Sequence, residues 1–366
     1  MTGIESKQRT AASPATFVYV SNAEDGDISI YGMLPTGELQ LGPRVPVAPA
    51  VMPMAVSEDR RYLFVSVRSK PFLVVTLAID PQTGAIAPLS SSPLPESMCY
   101  VSLDRTGRYL FAASYHASLI SVHGVAKDGR VSAPLQVVAT GRHAHSVRID
   151  ESNRFVFVPT LGTDAVFQFV FDAESGRIAS NTPSLVLVKP GNGPRHVIAS
   201  PDNRFVFVAN EMAGTVTTFA LDAKTGLLAE IDSASGVPPE ANLVPGVVRN
   251  SQPGRNSDND VWAADLHITP DGRFLYLSER TTSTLARFSV DAATGKLDYL
   301  GSTPTEKQPR GFAIDAGGRF LVACGEKSAT ISVYAIDAAS GALQPLAKYP
   351  TGKGANWVEI VSFDGR

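Results

Sequence analysis

Short apolar runs recur along this chain, most of them alternating apolar and polar positions with a period of two. Six belong to one repeated phrase: MAVSEDRRYLFVSV from Met54, VSLDRTGRYLFAAS from Val101, VRIDESNRFVFVPT from Val147, VIASPDNRFVFVAN from Val197, LHITPDGRFLYLSE from Leu266 and FAIDAGGRFLVACG from Phe312. Each phrase divides into two short strands joined by a polar turn such as PDG or PDN. A third strand follows, as in TVTTFALD at 215–222 or TISVYAID at 330–337. After it come a turn of the type DAKTG, DAATG or DAASG and a fourth strand, as in ALQPLAKYP. No long stretch has helical periodicity, which disfavours βαβ folds.

Four antiparallel strands in a repeat of about fifty residues are the signature of a β-propeller blade. We label the strands A to D from the axis outward. The shared arginines Arg61, Arg108, Arg154, Arg204, Arg273 and Arg319 mark the repeat. Their spacing is broken only between Arg204 and Arg273, where an insertion rich in Pro, Asn, Gly and Ser runs from about 238 to 260. The ends complete a seventh blade. Residues 17–47 supply strands B, C and D without an A, and WVEIVSFD at 357–364 supplies an orphan strand A. The expected fold is therefore an all-β, seven-bladed propeller spanning 17–366, closed by its C-terminal strand and preceded by a flexible tail at 1–16. Closing the ring removes the exposed edges of an open array.

Composition narrows the function classes. The chain has 366 residues, 44% of them hydrophobic, enough for a large core, and a formal net charge of −3 from 32 basic and 35 acidic residues. That balance carries no footprint for nucleic acid or an anionic membrane. The two cysteines, Cys99 and Cys324, form no framework or CxxC pair and are expected to be reduced. The polar N-terminus lacks the apolar core of a signal peptide, and no apolar run approaches a membrane span. A cytoplasmic location is expected. The chain contains no GxSxG, P-loop or dinucleotide fingerprint in its required context.

In a propeller the D–A and B–C loops open on one face around the axis. The residues at the start of strand A are His143 and His145, Arg195 and His196, Asp265 and His267, Arg310, and Asn356 with Trp357. Those after strand B are Arg68, Tyr115 with His116, Asn210 with Glu211, Glu279 with Arg280, and Glu326 with Lys327. Five of the six histidines fall on this face, His123 being the exception. The repeated arginines sit in A–B turns on the other face and read as structural. A surplus of arginine around a channel favours a carboxylate or phosphate ligand, although pairing of Arg195, Arg280 and Arg310 with Glu211, Glu279 or Asp265 is the structural alternative. Asp265 and His267 point the same way on a strand, but no His-and-carboxylate set has convincing metal-ligand spacing. The insertion joins a strand D to a strand A, so it falls on the same face, as a lid, a channel wall or a passive loop.

At these residues the chain resembles the seven-bladed propeller lactonases, which include bacterial 6-phosphogluconolactonases and the fungal 3-carboxy-cis,cis-muconate lactonizing enzyme. The phrases that carry the resemblance are GPRHVIASPDNRFVFVANE, WAADLHITPDGRFLYLSERT, PTEKQPRGFAID and ISVYAID, and it extends over nearly the whole chain after the tail. It implies a catalytic set of His145, Arg195, Glu211 and Arg280, with His143 competing for the histidine. Arg68, His143, His196, Asp265, His267, Glu279 and Arg310 are expected to line the substrate site. The leading expectation is hydrolysis of a sugar-acid lactone, by default 6-phosphogluconolactone, with Glu211 or His145 as general base and no metal or other cofactor. The partner is then a small lactone or sugar acid. A muconate-type lactonizing cycloisomerase and a non-enzymatic binding scaffold are the alternatives. Against the scaffold stand the absence of a GH…WD repeat and the presence of only two tryptophans, Trp262 and Trp357.

Overall fold

A computed structural model describes residues 15–249 and 251–363. The second strand of every repeat is apolar without alternation, as in YLFVSV at Tyr62–Val67 and FVFVAN at Phe205–Asn210, and nearly every residue in it is buried. A strand reads this way when both of its faces are covered. The covers are the neighbouring repeats: each repeat is a sheet of four antiparallel strands, and seven such sheets form a ring. Seven apolar clusters fill the interfaces between adjacent blades, such as Phe155, Phe157 and Val197 with Phe219. In fourth strands such as Ile86–Pro93 and Leu343–Pro350 only the first residue is buried and the rest are exposed or half-buried, as expected of an outer edge.

We number the blades from the closing one. Blade 1 pairs Ala355–Ser362 as strand A with Thr16–Asn22 as strand B. Their register runs from Thr16 opposite Ser362 to Asn22 opposite Ala355, so backbone hydrogen bonds join the two ends of the chain. Strand B begins at Thr16, one residue inside the expected tail. Residues 1–14 of that tail and Asp364 of the expected closing strand lie outside the described residues. Blades 2 to 7 follow at 51–93, 100–139, 148–187, 194–235, 263–304 and 311–350. Their A strands pack side by side around the axis.

The repeated arginines are blade-to-blade fasteners. All six place the guanidinium over the aromatic ring of the next residue, at 4.8 Å for Arg154 over Phe155 and 5.1 Å for Arg273 over Phe274. Five also donate to backbone carbonyls of the C–D turn in the following blade, as Arg154 does to Ala223 and Lys224. The glycine of that turn is required at its position. Gly226 has φ +72°, and a Cβ there would lie 2.1 Å from Phe155 Cδ1.

The insertion is attached at both ends of its course. It contains one 3-10 turn, Pro239–Ala241, and Val244 forms a parallel bridge with Asp260. Gly246 N donates to Met212 O at 2.8 Å, and Arg255 pairs with Asp260.

Candidate active site

The starts of the A strands are irregular, and the irregularity places the candidate side chains. In blade 5 (194–235) the A–B register shifts between Pro194 and His196, so Arg195 sits in a bulge. In blade 6 (263–304) it shifts between Ala263 and Leu266, which releases Asp265. In blade 4 (148–187) strand A shrinks to Arg148–Ile149, and the chain before it turns through His143 at φ +64°. On a regular strand neighbouring side chains point to opposite faces. A bulge lifts that constraint and re-aims them, which is how Arg195 and His196 come to touch.

The centre is an ion cluster drawn from two blades. Glu211 Oε2 lies 2.7 Å from Arg195 Nε and 2.9 Å from Arg280 Nη2. Arg195 has no exposure at all, and Arg280 and Glu211 are also buried. The Arg280 contact is an aligned hydrogen bond. Arg195 Nε points off the hydrogen-bond direction, so that contact is coulombic, and its Nη2 is buried without a hydrogen-bond partner among the described residues. Arg280 also donates to the carbonyls of Trp262 and Ala263 and lies 3.7 Å over the Trp262 ring. Burial pushes the Arg280 pKa down to about 9, which leaves it protonated at neutral pH. Burial opposes ionisation of Glu211, but the Arg280 and Arg195 charges outweigh it and hold its pKa below the ordinary value.

Neutral imidazoles adjoin this cluster. His145 is buried, and its pKa is driven well below the ordinary value by burial and then by the charge of Arg195. Its Nδ1 lies 4.0 Å from Cys99 Sγ, whose thiol burial keeps protonated, and its Nε2 has no hydrogen-bond partner among the described residues. The His145 ring is tilted against that of His196 at 5.2 Å. His196 is pushed down to about 3 by burial and Arg195. Its tautomer follows from its partners: Arg195 Nη1 donates to Nε2 at 3.0 Å, so Nδ1 carries the proton and donates to Asp265 Oδ1 at 2.7 Å. Asp265 Oδ2 accepts from His267 Nε2 at 3.1 Å. Burial disfavours charge on Asp265, yet His267 and the hydrogen bond from His196 more than offset this and lower its pKa.

Around the cluster, Arg68 Nε donates to Ser97 Oγ at 3.0 Å and Arg310 lies 3.7 Å from Glu326. His143 stacks on Tyr115 with ring centroids 4.3 Å apart, and Tyr115 meets His145 edge-on at 5.7 Å. Burial and the charge of Glu211 raise the Tyr115 phenol to about 12. Two expected lining residues are placed otherwise. The Glu279 oxygens accept from Trp262 N at 2.7 Å and from Thr282 N and Oγ1, so this carboxylate secures the strand entry. His267 lies further down strand A, against a cavity of about 230 Å³ at the other end of the channel. That cavity is bounded by Tyr100, Arg148, Asp265, Trp357 and Glu359 and by none of His145, Arg195, Glu211 or Arg280. It is smaller than the roughly 300–1,000 Å³ typical of ligand clefts. The arginine layer at the loop end brings Arg68, Arg195, Arg280 and Arg310 together with two carboxylates among the described residues, Glu211 and Glu326. His123 is buried away from the axis between Ser121 Oγ and Ser132 O.

Three features escaped the sequence reading. Cys99 beside His145 looks like an ordinary core residue, and Trp262 between cations has no linear signature. Glu359, which burial raises to about 7, had one signal: an acid at a channel-facing position of the apolar closing strand. Among the described residues no group of three His, Cys, Asp or Glu is placed to hold a metal ion, and no helix is long and apolar enough to cross a membrane.

Comparison with known proteins agrees with this fold. The chain is 36% identical to the 6-phosphogluconolactonase of Cronobacter sakazakii over 298 residues, covering 81% of this chain and 84% of the relative. It is 38% identical to that of Serratia proteamaculans with the same coverage. Among solved structures, the periplasmic gluconolactonase PpgL of Pseudomonas aeruginosa superposes with a TM-score of 0.82 at 28% identity, covering 95% of this chain and 99% of the other. The model of the family described as lactonase, 7-bladed β-propeller matches residues 17–360. On that match and the ring of seven four-stranded blades, the chain belongs to the seven-bladed β-propeller lactonase family.

Proposed function

We propose that this lactonase hydrolyses 6-phosphogluconolactone to 6-phosphogluconate, with His145 as general base and Arg195 and Arg280 as the electrostatic catalysts. The observation that carries the reading is the pair of buried guanidinium groups on one Glu211 oxygen, beside a neutral imidazole with a free nitrogen. The 6-phosphogluconolactonases among its relatives support the choice of substrate.

Lactone hydrolysis needs an activated water and stabilisation of the oxyanion that forms on the carbonyl. His145 Nε2 takes the proton from water as its oxygen bonds to the lactone carbon. The carbonyl oxygen becomes anionic and is stabilised by the positive charge of the guanidinium layer, to which Arg195 contributes from its buried position. The intermediate collapses by breaking the bond to the ring oxygen, which takes the proton back from His145. The acid product is released as its carboxylate. Glu211 suits the base role poorly, because its Oε2 is already engaged by both Arg195 and Arg280, whereas His145 Nε2 has no hydrogen-bond partner among the described residues. It serves instead as a positioning residue that aims both guanidinium groups. His196, anchored by Asp265, fixes Arg195 from below.

The test is acid release from 6-phosphogluconolactone and from glucono-δ-lactone by purified protein, corrected for spontaneous opening. Decay of both at the spontaneous rate refutes the reading, and turnover of a muconate-type dicarboxylate instead makes the protein a cycloisomerase. Cytoplasmic location is part of the proposal; PpgL, a structural neighbour, is periplasmic by its description. Cell fractionation decides between the two compartments.

A further inference from the structure

The insertion brings one more cation to the mouth of the site. Val261 N donates to Val244 O, and Gly246 N donates to the carbonyl of Met212, the residue after Glu211. A Cβ on Gly246 would fall 2.4 Å from Val261 O, so only glycine lets the loop approach this closely. Three residues on, Arg249 lies with its guanidinium carbon 3.7 Å from the Trp262 ring centroid. Arg280 lies at the same distance from that ring. Two cations cannot share one face of an indole at such a separation, so Trp262 is held between them. The two guanidinium carbons are then separated by roughly twice that distance, and Arg249 is the outer member.

The charges of the two arginines are committed differently. Arg280 is buried and paired with Glu211, whereas Arg249 is exposed and pairs with no carboxylate among the described residues. Arg68 and Arg310 are also held, by Ser97 and Glu326. The charge of Arg249 reaches the phenol of Tyr115, which stacks on His143 and meets His145 edge-on. Arg249 is therefore an available planar donor at the rim, one indole thickness from Arg280. The carbonyl and the phosphate of one small sugar-acid lactone can therefore face neighbouring guanidinium groups. Guanidinium groups pair with phosphate through two parallel hydrogen bonds.

Resting on the phospholactone reading above, we propose that Arg249 is the specificity residue that binds the substrate phosphate, and that the insertion exists at this site to present it. The Trp262 stack orients the guanidinium before substrate arrives, which reduces the entropy lost on binding.

The experiment compares wild type, Arg249→Ala and Arg249→Lys on 6-phosphogluconolactone and glucono-δ-lactone. The readout is the ratio of kcat/KM for the phosphorylated over the unphosphorylated lactone. A charge-assisted hydrogen bond is worth about 1.5–3 kcal/mol, so Arg249→Ala should lower that ratio roughly tenfold or more. Arg249→Lys should recover part of it, because lysine restores the charge without the fork. A merely structural loop contact would reduce both substrates together and leave the ratio unchanged, which overturns the proposal. Calorimetric titration with 6-phosphogluconate and gluconate makes the test independent of turnover. If wild type hydrolyses neither lactone, the reading of the reaction fails. The phosphate assignment then stands only if wild type prefers 6-phosphogluconate and Arg249→Ala loses that preference, and it falls if the two proteins bind the pair alike.

Discussion

Replacing Glu211 by Gln keeps the volume of the side chain and removes the one anion shared by Arg195 and Arg280. Both guanidinium groups are almost wholly buried, and they lie 2.7 and 2.9 Å from the same carboxylate oxygen. Removing one partner of a buried pair costs about 3–5 kcal/mol, because the remaining charge is left uncompensated. Here two cations are left facing each other. Against a total stability of about 5–15 kcal/mol that is a large fraction, equivalent to a fall in Tm of about 4–7 °C for a chain of this length. The loss should depend on pH. The folded-state pKa of Glu211 lies below its ordinary value, so the ionised carboxylate stabilises the fold above the unfolded pKa of roughly 4.3. That contribution disappears as the pH falls through the folded value. Scanning calorimetry of wild type and Glu211→Gln should therefore show the full gap at neutral pH and a closing gap in acid. An equal Tm at neutral pH, or a gap that persists unchanged in acid, would refute the reasoning that the two arginines depend on this charge.

Three other outcomes follow from the same geometry. His145→Ala should lower kcat about 10²–10⁴-fold, the usual worth of a positioned base; because the His145 pKa is driven down, the acid limb of wild-type kcat/KM should lie below the ordinary histidine value of roughly 6.5, and a midpoint at or above it counts against His145. Gly226→Ala should cost about 1–3 kcal/mol by overpacking against Phe155 at a positive φ, read as a lower denaturant midpoint with an unchanged m-value. Glu359 is raised to about 7 by burial, so the folded state holds a proton that the unfolded state releases at lower pH, and stability falls as pH rises from the unfolded pKa through 7. Glu359→Gln should therefore gain on wild type more at pH 8 than at pH 5 in thermal melts, and an equal gain at both would show that Glu359 does not titrate this way.

The arrangement of the site explains which parts were readable in advance. Arg195, Glu211, Arg280 and His145 could be placed on one face because every blade uses the same connections, and blade topology alone decides which loops meet at the axis. Assigning roles was harder. Glu211 and His145 both qualified as base on paper; the mechanism proposed above gives the role to His145 because Glu211 is engaged by two guanidinium groups. Glu279 and Arg280 are adjacent in sequence, yet one caps the entry to a strand while the other joins the ion cluster. Asp265 and His267 were expected to share a face and do contact each other, but they belong to a lower layer of the channel, and Asp265 acts on the site through His196.

The amino-acid sequence by itself determined the ring. Short apolar strand phrases repeated at near-constant spacing specify blades, the missing strand at one end and the spare strand at the other specify closure, and recurrence marks the turn arginines as structural. Apart from closure, these are local signals, carried by residues close together in the chain. The tertiary structure alone decided the electrostatics. Bulges at the starts of the A strands break the alternation from which side-chain direction is inferred, so Arg195 and His196 meet where a regular strand would separate them. The contacts that set charge, tautomer and proton affinity join residues some seventy positions apart, such as Glu211 with Arg280 and His196 with Asp265. No spacing rule reaches that far, because the distance between two such side chains depends on how two blades pack.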